Sequence, residues 1–253
     1  MIQRDELLKY LAKILNVQAF ADYAPNGLQV EGRAEIKKIM TGVTACQALV
    51  DAAVEQGADA LLVHHGYFWK GEEACIVGMK RQRLGALLAA DINLLAYHLP
   101  LDAHPELGNN AQLAKLLGLQ IEGTFGSESS GPAIGQYGRL VSAVSAEAFG
   151  ELLACKLGRE ALHIAEASSD IHTVAWCTGA AQSYLEQAAA LGVDAFVTGE
   201  ISEQTVHVAR ELGLHFFSAG HHATERGGVR ALGTHLAARF GLEVEFVDID
   251  NPV

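Results

Sequence analysis

At 253 residues, half of them hydrophobic, the chain is long enough to bury a large core, either as one α/β unit or as two lobes. Its formal net charge of -12 argues against non-specific binding to nucleic acid or to an anionic membrane, while leaving room for a small anionic substrate held by a local basic patch. Aromatic residues are only 7%, and Ala, Leu, Val and Gly carry the apolar content, a balance that suits helices packed on a sheet better than a β-sandwich.

The chain opens with MIQRDELLKYLAKIL, whose early charges and helical periodicity do not fit a signal peptide. Leu7, Leu8, Leu11, Ile14 and Leu15 share one face of a helix over 5–16. YAPNGLQVEG at 23–32 reads as a loop of turn formers. Strands are then expected at 36–43, 59–63 and 92–97, separated by helices at 46–56 and 80–90 and followed by a helix over 110–117 that Gly118 closes. Helices between strands imply crossover connections and a largely parallel sheet.

GTFGSESSGPAIGQYG at 123–138 breaks the rhythm and reads as a long loop or lobe boundary. Beyond it the spacing predicts strands at 140–144, 161–165, 173–177, 195–198, 214–218 and 244–248, with helices at 147–157, 182–191, 203–212 and 230–240. The expected organisation is a first α/β lobe over 1–126, a connecting or inserted segment over 127–170 and a second α/β lobe over 171–253. Cys46, Cys75, Cys155 and Cys177 form no C-x-x-C pair and read as buried apolar thiols of a reducing compartment. No apolar run approaches the length of a membrane span, so a cytoplasmic location is expected.

An internal echo supports duplication. QALVDAAVEQGADALLVHH at 47–65 aligns without gaps to QSYLEQAAALGVDAFVTGE at 182–200, matching the polar Gln and Asp as well as Gly and Ala. INLLAYHLPLD and LHFFSAGHHATE then repeat the plan of an apolar strand running into a His-containing loop. The fold class expected is therefore α/β: two similar lobes of duplicated topology with mixed, largely parallel sheets and a metal site between them.

Three polar clusters sit at expected strand ends, where open α/β sheets gather ligands. They are His64-His65, the run from His98 to Asp102, and the run from His221-His222 to Glu225. Imidazole and carboxylate suit zinc, iron or manganese, and adjacent histidines at a strand end would splay so that each could serve a different ion. His64, His65, Asp102, His221 and Glu225 are too many ligands for one four-coordinate site with an open position. They fit two divalent ions roughly 3.5–4 Å apart that share a carboxylate and acidify a water.

Taken singly, each cluster has a plainer reading: a histidine satisfied in the core, a turn-forming aspartate, a solvated loop. Convergence of three ligand-type clusters is what favours a metal site. His163, His172, His207, His215 and His235 are read as structural. Lys80, Arg81 and Arg83 read as the solvated start of a helix, and Arg226 as a residue placed to meet an anion. Gly227-Gly228 reads as the end of a loop, with the alternative that its exposed amides cradle a phosphate. No Walker motif, nucleotide-binding G-x-G-x-x-G or G-x-S-x-G is present.

DYAPNGLQVEG, TGVTA, VHHGYFWKG, HLPLDAHPELGNNAQLA, AWCTG, TGEISEQT and AGHHATERGG together resemble the Nif-three-like family, also called GTP cyclohydrolase I type 2 homologues, over nearly the whole chain. The resemblance implies a two-domain α/β fold of duplicated topology and a toroidal homohexamer with dinuclear metal sites facing an internal cavity. It implies metal ligands at His64, His65, Asp102, His221 and Glu225, with no ligand position missing. The region around 127–170 departs from the family pattern and has room for only a short segment where some members carry a larger inserted domain.

The activity expected is hydrolysis assisted by two divalent metal ions, with opening of a purine imidazole ring and loss of formate as the form the resemblance implies. His98 and His222, outside the ligand set, are the candidates for proton transfer. The substrate expected is a small molecule of the nucleotide class. The rival readings are a dinuclear phosphoesterase or nucleotidase on the same site, and a non-enzymatic metal-binding or scaffold protein.

Overall fold

A computed structural model describes residues 1–126, 131–165 and 169–253. In chain order the elements are β1 (Ile2–Gln3), α1 (Arg4–Ile14), β2 (Gly27–Val30), β3 (Glu35–Ile36), β4 (Lys38–Thr44), α2 (Gln47–Glu55), β5 (Ala60–His65) and α3 (Gly78–Ala89). Then come β6 (Asn93–Ala96), α4 (Leu99–Ala103), α5 (Asn109–Leu117), β7 (Gln120–Phe125), β8 (Gly135–Val144), α6 (Ala146–Leu157) and β9 (Leu162–Ile164). The chain ends with β10 (Ile171–Cys177), α7 (Leu185–Ala190), β11 (Ala195–Thr198), α8 (Glu203–Leu212), β12 (His215–Ser218), α9 (His221–Phe240) and β13 (Glu243–Phe246). No described helix is long and apolar enough to cross a membrane.

Two compact units result: Met1–Leu101 with Gly228–Asp250, and Asp102–Gly227 with Asn251–Val253. The linear pattern of the sequence places boundaries at 126 and 170 instead. The difference arises because β13, the last strand, hydrogen-bonds in parallel to β4 near the start of the chain, which draws Gly228–Asp250 into the first unit. Of the 127–170 segment, residues 127–130 and 166–168 lie outside the described residues.

The first unit holds a five-stranded sheet in the order β13-β4-β5-β6-β2, parallel except for β2, and a small β1–β3 ribbon. Leu49, Val50, Leu61, Val63, Leu84, Leu87 and Leu94 form one core between this sheet and α2 and α3. The second unit holds a six-stranded sheet in the order β7-β8-β10-β11-β12-β9, whose β10, β11 and β12 are parallel. Alternate residues of these strands face different cores, as strand geometry requires. Val174, Trp176, Val197 and Phe217 pack with Leu113, Phe149 and Leu153, whereas Ala175, Cys177, Phe196 and Phe216 pack with Leu185, Ala188 and Ala209.

The internal echo has a structural meaning. In each unit an antiparallel strand precedes three consecutive parallel strands in the sequence and pairs beyond the last of them: β2 before β4, β5 and β6 and paired to β6, and β9 before β10, β11 and β12 and paired to β12. The matched aspartates do the same work at the same place. Asp59 accepts the backbone N–H groups of Lys37 and Lys38 at 2.8 and 2.9 Å, and Asp194 those of His172 and Thr173 at 3.0 and 2.8 Å. Burial acts to raise both carboxyl groups, but these donors hold them below the usual aspartate range. Each carboxylate thus ties the entry of one parallel strand to the entry of its neighbour. The matched Gly57 and Gly192 follow the preceding helices at φ of 63° and 74°, a left-handed turn that glycine adopts without steric cost.

Four local expectations are corrected. Within 23–32, residues Gly27–Val30 form strand β2 on the edge of the first sheet. The 123–138 stretch contributes residues 123–125 to β7 and 135–138 to β8, which pair antiparallel, while residues 127–130 are not described. Its glycines allow close packing: a Cβ on Gly138 would strike the Gln120 carbonyl, and one on Gly123 would lie 2.6 Å from the Tyr137 ring. HHATERGG is the start of the 20-residue α9, not a loop. Gly227 lets α9 approach α5, since a Cβ there would meet Gln112 Cβ at 2.7 Å. Of the cysteines only Cys177 is buried; Cys46 is half-buried, and Cys75 and Cys155 are exposed.

Candidate metal centre

In the first unit the parallel pairing of β5 and β6, with Val63 opposite Ala96, brings their carboxyl ends level. His64 and His65 are the last two residues of β5, and His98 lies two residues beyond β6. One ring nitrogen from each of the three lies within 4.8 Å of the others, a group able to hold a metal ion. The expected splay of His64 and His65 is not found, for their ring centroids are 4.5 Å apart. Side chains lean along a strand as well as to its faces. Hydrogen bonds to Tyr97 and Thr44 hold the two rings side by side at the strand end.

Those bonds set tautomers. The fully buried His64 places Nδ1 2.9 Å from the Tyr97 carbonyl oxygen, which can only accept, so Nδ1 carries a proton, and in the neutral form the lone pair is at Nε2. His98 Nδ1–H donates to Asp22 Oδ1 at 2.7 Å, and the same carboxylate accepts from Asn26 Nδ2 at 2.8 Å and the Leu99 amide at 3.0 Å. Asn26 in turn accepts the His98 amide at 2.7 Å. Burial acts to raise the Asp22 carboxyl, but the His98 and Asn26 bonds outweigh it and hold the group below the usual aspartate range. Asp22 therefore stays ionised and orients His98 with Nε2 presented.

In the second unit, Asp102 and Glu225 are 5% and 3% exposed and bring carboxylate oxygens within 4.8 Å of each other. Asn109 Nδ2 donates to Asp102 Oδ1 at 2.8 Å, and Thr178 Oγ1 to the same oxygen at 3.4 Å. His221 and Glu225, four residues apart on the first turns of α9, share a face, with Nε2 and Oε2 3.2 Å apart. On its other side His221 Nδ1 meets Glu200 Oε1 at 2.6 Å. Backbone support is close. The Gly179 amide donates to Thr224 Oγ1 at 3.1 Å, and a Cβ on Gly179, whose φ is 71°, would strike Glu225 Oε1. His222, also buried, donates its amide to the Val253 carbonyl at 3.0 Å and belongs to none of the ligand groups found among the described residues.

The donor set in both units is imidazole nitrogen and carboxylate oxygen, with the far nitrogen of His64, His98 and His221 already bonded to oxygen. Resident divalent metals are held this way. The family model described as Duf34/NIF3 (NGG1p interacting factor 3) matches residues 2–252. The chain belongs to the DUF34/NIF3 family. It is 58% identical over 248 residues, 98% of each chain, to a Yersinia pestis protein named GTP cyclohydrolase 1 type 2 homolog. The solved structure of protein ybgI, described as of unknown function, matches at a TM-score of 0.96 and 54% identity over 100% of both chains. TTHA1606 from Thermus thermophilus matches at 0.91 and 37% identity, again over 100% of both.

Several residues of this DUF34/NIF3 chain that support the imidazoles and carboxylates receive no role from the sequence, although each lies in a segment that carries the family resemblance. Asn26 stands in the run that reads as turn formers, with Asp22 just before it, and Asn109, Thr178, Glu200 and Thr224 carry no assigned role. The available signal is a polar residue just beyond an expected strand end, as at Thr178 and Glu200. The pairings of Asp22 with His98, Thr178 with Asp102 and Glu200 with His221 span 76, 76 and 21 residues of chain, which makes them tertiary facts.

His221 titrates in a way that bears on metal uptake in this DUF34/NIF3 member. Burial opposes its charged form, but the flanking Glu225 and Glu200 carboxylates prevail and raise it to about 9. In the metal-free protein the imidazolium therefore contributes stability in full below about pH 6.5 and loses it as pH rises through about 9. A cation bound at Nε2 must displace that proton, so its affinity is expected to rise with pH over the same window. Thermal melts and metal titrations of the wild type and His221→Gln between about pH 6 and about pH 10 read both signs. An affinity difference between the two proteins that is flat with pH would remove His221 from the ligand set.

Proposed function

We propose that this protein is a hydrolase dependent on two divalent metal ions, held by His64, His65, Asp102, His221 and Glu225. The observation that carries the reading is the buried Asp102–Glu225 carboxylate pair within 4.8 Å, since two like charges in a buried site repel unless positive charge accompanies them, which the His221 imidazolium supplies in the metal-free protein and bound cations would supply in its place. His64 and His65 of the first unit supply complementary imidazole donors. Zinc, iron and manganese all accept such donors. When bound, the ions would supply Lewis-acid polarisation and acidify water.

The residues of the chain supply the rest of the mechanism. Asp22 holds the proton of His98 at Nδ1, which leaves Nε2 to take a proton from an attacking water and return it to a leaving nitrogen. We assign proton transfer to His98 ahead of His222 because of that orientation. Glu200 fixes the His221 ring, and Asn109 fixes the Asp102 carboxylate, so neither ligand must reorganise to bind.

The names of the relatives support GTP as the first substrate to test, with hydrolytic opening of the purine imidazole ring and release of formate as the reaction. The test is elemental analysis of the purified protein, then incubation with GTP after loading with each candidate metal. Formate release is expected. Release of phosphate alone would replace ring opening with a dinuclear phosphoesterase. Tight metal binding with no turnover across nucleotides would leave a metal-binding protein without this activity.

A further inference from the structure

We infer that Trp69, with Tyr23 near the same histidine, is a stacking platform that binds the flat heteroaromatic ring of the substrate beside His98. The inference rests on the proposed hydrolase reading and narrows its substrate class to molecules carrying a purine-sized planar ring. Trp69 is half-buried, with its ring centroid 5.0 Å from that of His98 at an interplanar angle of 85°, and 5.9 Å from that of His65. Tyr23 is 47% exposed, and its ring centroid is 6.4 Å from His98. Two large aromatics thus remain open to solvent next to three ligand-type imidazoles, in a protein whose other tryptophan, Trp176, is fully buried.

The platform is rigid. Trp69 Nε1–H donates to the Gly66 carbonyl at 3.2 Å, and its amide to Glu72 Oε2 at 3.0 Å. The Lys70 amide donates to the Tyr23 carbonyl at 2.7 Å, locking the segment that bears Trp69 to the one that bears Tyr23, Asp22 and Asn26. Phe68 sits at φ 66°, a left-handed conformation costly for a bulky residue and kept only where surroundings over-determine it. Its neighbour Tyr67 is anchored inward, its hydroxyl donating to the Ala45 carbonyl at 2.7 Å and its amide to Gln29 Oε1 at 2.6 Å. With the indole N–H already committed, Trp69 offers a π-face and no hydrogen-bond pattern. Such a surface recognises flatness in a ligand and leaves the reading of ring edges to other groups.

The test uses metal-loaded full-length protein and measures binding of GMP and of ribose 5-phosphate, which has the sugar phosphate without the ring, by calorimetry and tryptophan fluorescence. Wild type is expected to bind GMP with quenching. Trp69→Ala should weaken GMP binding by ~5- to 100-fold and leave ribose 5-phosphate unaffected, while Trp69→Phe keeps most of the affinity. Metal content, measured on every variant, should not change. Equal GMP affinity in Trp69→Ala and wild type would overturn the inference, as would failure of wild type to bind GMP. If rings bind through Trp69 but wild type holds no metal, the hydrolase reading fails and the platform stands.

Discussion

Replacing His64 by Ala is expected to lower bound metal and abolish turnover together. The ring is fully buried at the end of β5, and its Nδ1–H satisfies the Tyr97 carbonyl. Altering a residue that merely orients a ligand weakens metal binding by ~10- to 100-fold, so loss of a ligand should cost at least ~100-fold in affinity or activity. The truncation also leaves a buried carbonyl unsatisfied, which costs about 1–3 kcal/mol and must be separated from the metal effect. His64→Gln, closer in size and able to donate a hydrogen bond, is the companion variant: it should melt nearer the wild type yet remain as poor in metal as His64→Ala. Elemental analysis, thermal melts and the formate assay on the three proteins decide the matter. A variant that kept its full metal content and full activity would exclude His64 as a ligand.

Gly199→Ala is expected to damage both stability and the second-unit ligands. A Cβ at this position would lie 2.5 Å from His221 Cα, 2.6 Å from the Gly179 carbonyl oxygen and 2.8 Å from the His221 amide nitrogen. All three are backbone atoms, so no side chain can turn aside. The local backbone is also tied down: the Gly199 amide donates to the Gly179 carbonyl at 2.8 Å, and its own carbonyl accepts from the Gly220 amide at 3.0 Å and Ser218 Oγ at 2.9 Å. Overpacking of this kind costs about 1–3 kcal/mol, corresponding to a fall in Tm of roughly 2–12 °C for a chain of this size. Because the strain falls on the residue that opens α9, metal affinity should fall with it. Gly85→Ala is the control. Gly85 lies inside α3 with open space around its Cβ position, so alanine there should be neutral or stabilising by up to ~1 kcal/mol. If Gly199→Ala melts and binds metal like wild type, the close approach of β11 to α9 is not a constraint on the site.

Much of the architecture is legible in the sequence because it rests on local pattern. The strand at 195–198 and the helix at 203–212 fall at their predicted positions, since apolar runs and amphipathic periodicity act over a few residues. The echo of 47–65 in 182–200 correctly marks a repeated unit, because its shared Asp has a geometric duty at a parallel strand entry. Where the reading fails, a residue type has two uses. Glycines in 123–138 and at Gly227 carry the pattern of breaks, but they serve close packing in a hairpin and a helix, which depends on what lies opposite. Asn26 lies in a run with the pattern of turn formers and Asp22 directly precedes it, and they also hold His98 from 72 and 76 residues away in the chain.

By itself, the sequence determined the α/β class, the duplication, and the chemical type of the residues gathered at strand ends. Periodicity and side-chain chemistry are properties of the chain, independent of what each segment meets. Only the tertiary structure decided that β13 returns to β4, that α9 starts at His221, which nitrogen of His64 and His98 carries the proton, and that Glu200 helps to raise His221. Those outcomes depend on hydrogen bonds and close approaches between residues distant in sequence, and no local pattern encodes which donor will face which acceptor.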